Sequence, residues 1–457
     1  MKIKRTLRRT NCVIAVFAFI GFALAVLSAC SGHDPERHFK AEPVNGVSVR
    51  ITGHTGSKWA VKIPSRIRKL PVKYIGDSSF SERKLVSVSI PGGVTSIGAV
   101  AFADNQLTKI SIPGRVASIG AGAFANNLLT RVRIPNRVTY IGTGAFQDNQ
   151  LTRVTIPNGV SSIGAGAFRR NQITSVTIRN NVSVIGQEAF ADNILAAVII
   201  PNSVTVIESG AFQNNQLAAV IIPDSVINIE SHAFRNNHLA GVTIGSGVAV
   251  IGAEAFAHNE LGVLTISDSV VSIEPAAFAN NQLTSVTIGS GVTSIGAEAF
   301  VNNRLTSVTI GGSVISIGAE AFANNQLANV TIPNSVTSIG AGVFNGNANL
   351  QTVTFASGSR LDTIAGRTWD NRWNVQRWVG LGAFDGNTSI TSMEIPASVT
   401  TVGNGAFNGW TASQTIHVPF ATLAEANSAA AQGGWGTGWR AGNNAVIMNN
   451  AGVQIFP

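Results

Sequence analysis

Phenylalanine occurs at positions 80, 102, 124, 146, 168, 190, 212, 234, 256, 278, 300, 322 and 344, always 22 residues from the last. A fixed period of this size means that one small supersecondary unit is copied along the chain. Such a unit cannot bury its own apolar face, so its neighbours must cover it. Phe384 and Phe407 continue the series after an insertion. A chain of 457 residues would otherwise suggest several domains, but a repeat array lengthens without needing a second core. Hydrophobic residues make up 45% and charged residues 12%, which supplies a long core and excludes a disordered chain.

Residues 105–124 read N-Q-L-T-K-I-S-I-P-G-R-V-A-S-I-G-A-G-A-F. Ile110 and Ile112 flank Ser111, the alternation of a half-buried strand, and Pro113 ends it because proline has no N–H for a ladder. Val116 and Ile119 fit a second, shorter edge. Gly120 suits a tight bend, and Phe124 fills the core. Asn follows the Phe by three residues at 105, 127, 149, 171, 193, 215, 237, 259, 281, 303, 325, 347 and 387. Its amide can pair peptide groups of the neighbouring coil that an irregular turn leaves open. A residue repeated at every turn is scaffold rather than an active site.

The pattern L-T-x-V-x-I-P-x-x-V-x-x-I-G-x-x-A-F-x-x-N resembles the BspA-like, or treponemal-type, leucine-rich repeats of bacterial surface proteins. The likeness spans roughly residues 48–418 and includes an early unit, Ile51-Thr52-Gly53, Ile63-Pro64, Leu70-Pro71-Val72, Ile75-Gly76 and Phe80. Where those repeats commonly place Cys near the bend, this chain has Asn. The resemblance implies a repeat solenoid, right-handed and curved, of about 15 coils with a parallel β-sheet on one face. At about 4.8 Å per stacked strand, that predicts a length on the order of 70 Å. It also implies adhesion to host matrix proteins, glycans or other bacteria.

Residues 1–29 have the layout of an export signal: Lys2, Lys4, Arg5, Arg8 and Arg9, then the uncharged run Val13 to Ala29. Leu27-Ser28-Ala29-Cys30 resembles the lipobox of bacterial lipoproteins, which implies lipid attachment at Cys30 and a membrane anchor. No Asp follows Cys30, which leans towards the outer membrane or cell surface. Residues 30–45 are expected to form a polar tether, 46–419 the solenoid, and 420–457 a C-terminal cap with a helix over Ala421–Gln432 and terminal strands after Ala445. Without residues 1–29 the chain has 27 basic and 23 acidic residues, so nothing points to nucleic acid.

If core positions are scaffold, function belongs where repeats differ. Lys109, Arg131 and Arg153 share one strand position, and Arg133 lies two residues along on the same face. Stacked like charges repel, so this column suggests an anionic partner, with a plainly solvated face as the alternative. From Phe102 to Arg179 there are nine bases and two acids; from Asn181 to Gly340, two bases and eleven acids, so the array is expected to be bipolar. Ile199 and Ile221 replace the usual outward Thr on adjacent coils, next to Ala197 and Ala219. Residues 365–381 insert Arg367, Trp369, Arg372, Trp373, Arg377 and Trp378, a composition common at binding hot spots. The alternative for this insertion is a brace against a cap that holds Trp410, Trp435 and Trp439.

His232, His238 and His258 come from adjacent coils but occupy variable positions, and no phosphate loop or catalytic set stands apart from the repeat. The chain is therefore expected to be a monomeric binding protein, an adhesin, with a protein or glycan ligand and no metal, cofactor or enzymatic activity. The alternative is a structural or envelope-assembly lipoprotein without an adhesive role.

Overall fold

The computed structural model describes residues 34–366, 368–370, 377–379, 381–422, 424–425, 435, 439, 445–449, 451 and 454–456. The chain forms two compact units, Met1–Val182 and Ser183–Pro457. The sequence stretches read as export signal and lipid-attachment site lie outside the described residues, as does most of the expected cap helix, of which Ala424 and Glu425 are helical. Among the described residues no helix is long and apolar enough to cross a membrane.

The first unit opens with a 3₁₀ turn, Glu36–His38, and strand β1 (Phe39–Val44). β1 runs antiparallel to β2 (Ser48–His54), with Phe39 opposite His54. Residues 39–44, expected to be tether, are thus a strand that closes the first coil. Phe39 packs into the core while Lys40 and Glu42 face solvent, and Pro43 suits an unpaired outer edge. Next come β3 (Ala60–Lys62), β4 (Arg66–Ile67) and β5 (Leu70–Ile75), and β2 pairs parallel with β5. From β5 a ladder of two-residue strands follows, one per coil, in the register Ile75, Ile97, Ile119, Ile141, Ile163.

The second unit repeats this ladder through Ile185, Ile207, Ile229, Ile251, Ile273, Ile295, Ile317, Ile339, Ile364 and Val402. The insertion before Phe384 is accommodated without a break in register. Expectation and structure differ over which edge pairs. The longer Val-x-Ile edge, read from the sequence as the half-buried strand, pairs among the described residues in short, separate stretches: Ala60–Lys62 with Ser87–Ser89, Arg153–Ile156 with Ser175–Ile178, Ala219–Ile221 with Gly241–Thr243, Val263–Thr265 with Ser285–Thr287 and that strand with Ser307–Thr309, and Asn329–Ile332 with Thr352–Phe355. The short edge is the one that pairs coil after coil. On the coils where this edge is unpaired, prolines such as Pro113 and Pro135 remove the donor at its end. The residues flanking the short edge, by contrast, bond from coil to coil, as in Thr95 N–H to Lys73 O and Gly98 N–H to Ile75 O.

The phenylalanines of the series are fully buried. Their rings stack face to face within each unit, 5.4 Å apart from Phe102 to Phe124 and 5.4 Å from Phe256 to Phe278, nearly parallel in both pairs. That centroid spacing is the offset arrangement aromatic rings prefer. Within each unit the Asn residues bond the preceding coil as well as their own. Asn281 Nδ2 donates to Phe256 O (2.9 Å) and Phe278 O (3.1 Å), and its Oδ1 accepts Leu261 N–H at 3.1 Å.

The Ile-Gly glycines have a role other than the expected bend. A Cβ on Gly142 would lie 2.5 Å from Gly120 C and 2.6 Å from Ala121 N, so glycine there lets two backbones close up. The left-handed residue of the bend comes two positions later, as at Gly122 and Gly144. At the C-terminal end Trp410 stacks edge-on against Phe407 and donates its indole N–H to Phe384 O, 3.0 Å away. Trp435 and Trp439 are also buried, and Val446–Asn449 and Gln454–Phe456 complete a small sheet with Ser392–Glu394 and Thr415–Val418.

Candidate binding surfaces

On the longer edge the residues between the inward Val and Ile positions point outward. Lys109, Arg131, Arg133 and Arg153 are all exposed there, while Ile110, Ile112, Ile134, Val154 and Ile156 between them are buried. Arg153 lies in a strand whose partner is in register, and its Nε donates to Ser175 Oγ at 3.2 Å. Lys109 and Arg131 hold the same repeat position on coils where this edge is not paired as strand. Among the described residues, Lys109, Arg131 and Arg133 have no ion-pair partner. They form a column of fixed positive charge on the first unit.

In the second unit Ile199 is 82% exposed and Ile221 70%. Ala197 and Ala219 are exposed alongside them, and Val263, two coils beyond Ala219 at the same repeat position, is 62% exposed. The short edge has an outward apolar column that the sequence reading did not single out. Ile227, Val271 and Ile315 are exposed on alternate coils, joined through Ala249 and Thr293 by backbone hydrogen bonds. Its signal was present: a β-branched aliphatic residue replaces Thr just before the Ser-Ile or Asn-Ile pair.

The insertion forms an antiparallel backbone hairpin, Thr368–Asp370 against Arg377–Val379, which sets Trp369 opposite Trp378 and Asp370 opposite Arg377. Arg367, Arg372 and Trp373 lie outside the described residues. The three histidines of adjacent coils do not converge. His232 pairs with Glu254 (3.5 Å), His238 with Glu260 (3.0 Å), and His258 lies 3.5 Å from Asn280.

Glu188, Glu254, Glu298 and Glu320 occupy the left-handed bend position, with φ between 52° and 59°. Other acids hold backbone groups of the following coil. Asp224 Oδ1 accepts Ser246 N–H (2.7 Å) and Asp268 Oδ1 accepts Ser290 N–H (2.6 Å); these bonds hold both carboxyls below the ordinary value of 3.8.

The model of the BspA-type leucine-rich repeat region matches residues 73–195, 183–305, 250–375 and 377–430. The chain belongs to the BspA-type leucine-rich repeat family. Among solved structures, a leucine-rich repeat protein from Bacteroides ovatus is 20% identical and superposes with a TM-score of 0.56, over 83% of this chain and 98% of the other. The pneumococcal vaccine antigen PcpA is 16% identical, with a TM-score of 0.47 over 90% of this chain and 96% of that one. A leucine-rich cell surface protein from Faecalibacterium prausnitzii is 22% identical, with a TM-score of 0.37 over 72% and 96%. No curated protein matches the sequence. The B. ovatus likeness supports the shared fold, and the BspA-type repeat accounts for the buried Phe, Asn and Ile positions. It does not account for the cationic column or the outward isoleucines.

Proposed function

We propose that this BspA-type chain is a cell-surface binding protein, an adhesin without catalytic function, that holds an anionic macromolecule on the cationic column of its first unit. The observation that carries the reading is that Lys109, Arg131 and Arg133 are exposed on one face with no acidic partner among the described residues. Like charges brought together by a repeating backbone repel one another, and a polyanion relieves that repulsion. The spacing suits a linear ligand, since successive coils present a cation at regular intervals, as sulfated glycans or acidic protein segments require. Display at the surface is part of the same proposal, supported by the export-signal layout of residues 1–29 and the lipobox-like sequence ending at Cys30.

The test is binding of the mature chain to a sulfated-glycan array and to immobilised matrix proteins. The triple variant Lys109→Glu, Arg131→Glu, Arg133→Glu should weaken capture at least about tenfold, and added salt should weaken the unmodified chain's binding in the same way. Unchanged capture by the triple variant would remove the column from the binding site. Protease treatment of intact cells reports on display, because a periplasmic protein would survive it.

The exposed Ile199 and Ile221 favour a second contact, with an apolar protein surface. Covering each is worth about 1.5–3 kcal/mol. Ile199→Thr with Ile221→Thr should leave the melting temperature unchanged and reduce any protein capture that survives high salt. If that capture persists in the double variant, the isoleucines are not its site.

A further inference from the structure

At the N-terminal end of the first unit, Asp34, His38 and His54 converge. One potential ligating atom from each lies within 4.8 Å of the others. They come from three places: Asp34 two residues before the 3₁₀ turn, His38 at the end of that turn, and His54 at the end of β2. The backbone ties them together. Thr55 N–H donates to His38 O (2.8 Å), and Asp34 and Lys62 exchange hydrogen bonds through Asp34 N–H to Lys62 O (3.3 Å) and Lys62 N–H to Asp34 Oδ2 (3.1 Å).

His54 is 0% exposed and Asp34 3%. Among the described residues, neither His54 ring nitrogen has a hydrogen-bond partner, nor does His38 Nδ1. A buried imidazole with both nitrogens unpaired is costly in a fold that otherwise pairs its buried polar groups. Its ring packs on Phe80 (5.6 Å between centroids) and Phe39 (5.0 Å), so it ends the phenylalanine stack. Phe or Leu would end the stack equally well without stranding polar atoms, so packing alone does not explain a histidine here.

Gly56 supplies a second observation. A Cβ at this position would sit 2.6 Å from His54 Cε1, 2.8 Å from His54 Nε2 and 3.3 Å from His38 Nδ1. Its φ lies outside the left-handed region, so the backbone does not demand glycine. What glycine provides is open space beside the two ring nitrogens. Asp34 Oδ1 meets the Lys58 ammonium at 3.1 Å, so a cation already stands at the carboxylate.

We propose that Asp34, His38 and His54 bind one divalent transition-metal ion of the zinc class, which clamps the segment entering the repeat array onto the first coil. Two imidazole nitrogens and one carboxylate oxygen form a borderline donor set that suits Zn²⁺, whereas Ca²⁺ and Mg²⁺ select all-oxygen sites. Tetrahedral zinc at about 2.0–2.1 Å from its ligands sets them roughly 3.3 Å apart. The three ligating atoms, already within 4.8 Å of one another, would close by about 1.5 Å at most to reach that spacing. Burial is the main effect holding His54 below the ordinary imidazole range, opposed by Asp34 and reinforced by Arg83 and His38. Water completes the coordination on the side of His38, which is the half-buried member of the set.

The test uses the untagged chain, freed of metal by a chelator and titrated with Zn²⁺ against a chromophoric competitor. One equivalent should bind at micromolar concentration or tighter and raise the melting temperature. His54→Phe keeps an aromatic ring on Phe80, so it should melt no lower than the metal-free parent while losing zinc affinity about 100-fold or more. Asp34→Asn, His38→Gln and Gly56→Ala should each weaken binding at least about tenfold. A control with His232, His238 and His258 all changed to Gln should bind as the parent does. Unchanged affinity in His54→Phe, or no stoichiometric binding by the parent, would overturn the proposal.

Discussion

The asparagine three residues after each core phenylalanine does more for this chain than its polarity suggests. Its amide donates to carbonyls in two coils and accepts an N–H from the earlier one, as Asn281 does with Phe256, Phe278 and Leu261. Asn281→Ala strands buried backbone groups on both coils, so it should destabilise the second unit by on the order of 3 kcal/mol, read from urea-unfolding midpoints. Asn281→Asp should be worse at neutral pH, because a carboxylate would face the carbonyls that the amide now satisfies. A loss below about 0.5 kcal/mol for the alanine variant would show that water replaces the amide. Val100 is the opposite case, a β-branched residue at φ 46° where other coils have Gly122, Gly144 and Gly166. Val100→Gly relieves a left-handed conformation that costs a β-branched residue about 1–2 kcal/mol, less the extra chain entropy of glycine. A net gain of about 0.5–1 kcal/mol in thermal unfolding is expected, and a loss would refute the strain.

At the scale of elements, the continuous ladder is the two-residue edge. Strands this short hold because the flanking residues also bond to the next coil and because Ile on each strand is buried. Between coils of the second unit, Asp224 and Asp268 add carboxylate bonds to Ser246 and Ser290. Their acidities are depressed by those bonds, so the stability they contribute is present above the ordinary value of 3.8 and is lost as pH falls through their lower folded values. In Asp224→Asn with Asp268→Asn, the unfolding midpoint should drop relative to the parent at pH 6, and the gap should close near pH 2. A gap that is independent of pH would mean that the charge is irrelevant. Much of this scale was legible in the sequence: the alternation at Ile110 and Ile112, the proline stop, and the outward Lys109 and Ile199. The choice of which edge pairs continuously was not, because two residues are too few to show a period. That choice depends on hydrogen bonds to another coil.

For the whole molecule, each unit is a stack in which a coil depends on its immediate neighbours. Phe278→Ala opens a gap in a continuous ring stack and should cost about 3–5 kcal/mol. Hydrogen exchange should quicken mainly in coils next to residue 278, while amides of the first unit keep the parent's rates; uniform acceleration would show that the array unfolds as one body. Charge is divided between the units as well. The basic excess up to Arg179 falls in the first and the acidic excess to Gly340 in the second. Salt should therefore affect polyanion binding by the first unit more than the apolar contact proposed for the second.

The sequence by itself determined the 22-residue coil, the phenylalanine core, the asparagine at each turn and the set of residues that face outward. A repeat writes its local environment many times over, so each buried position can be read from its spacing alone. Tertiary structure decided the rest. It turned residues 39–44 from an expected tether into a strand, because Phe39 has a partner only once β2 lies beside it. It aligned Ile227, Val271 and Ile315 into a column. It also brought Asp34 and His38 to His54, across a separation unrelated to the period. The ends of a repeat array have no neighbouring coil to predict them from, so their contacts arise only when the chain closes on itself.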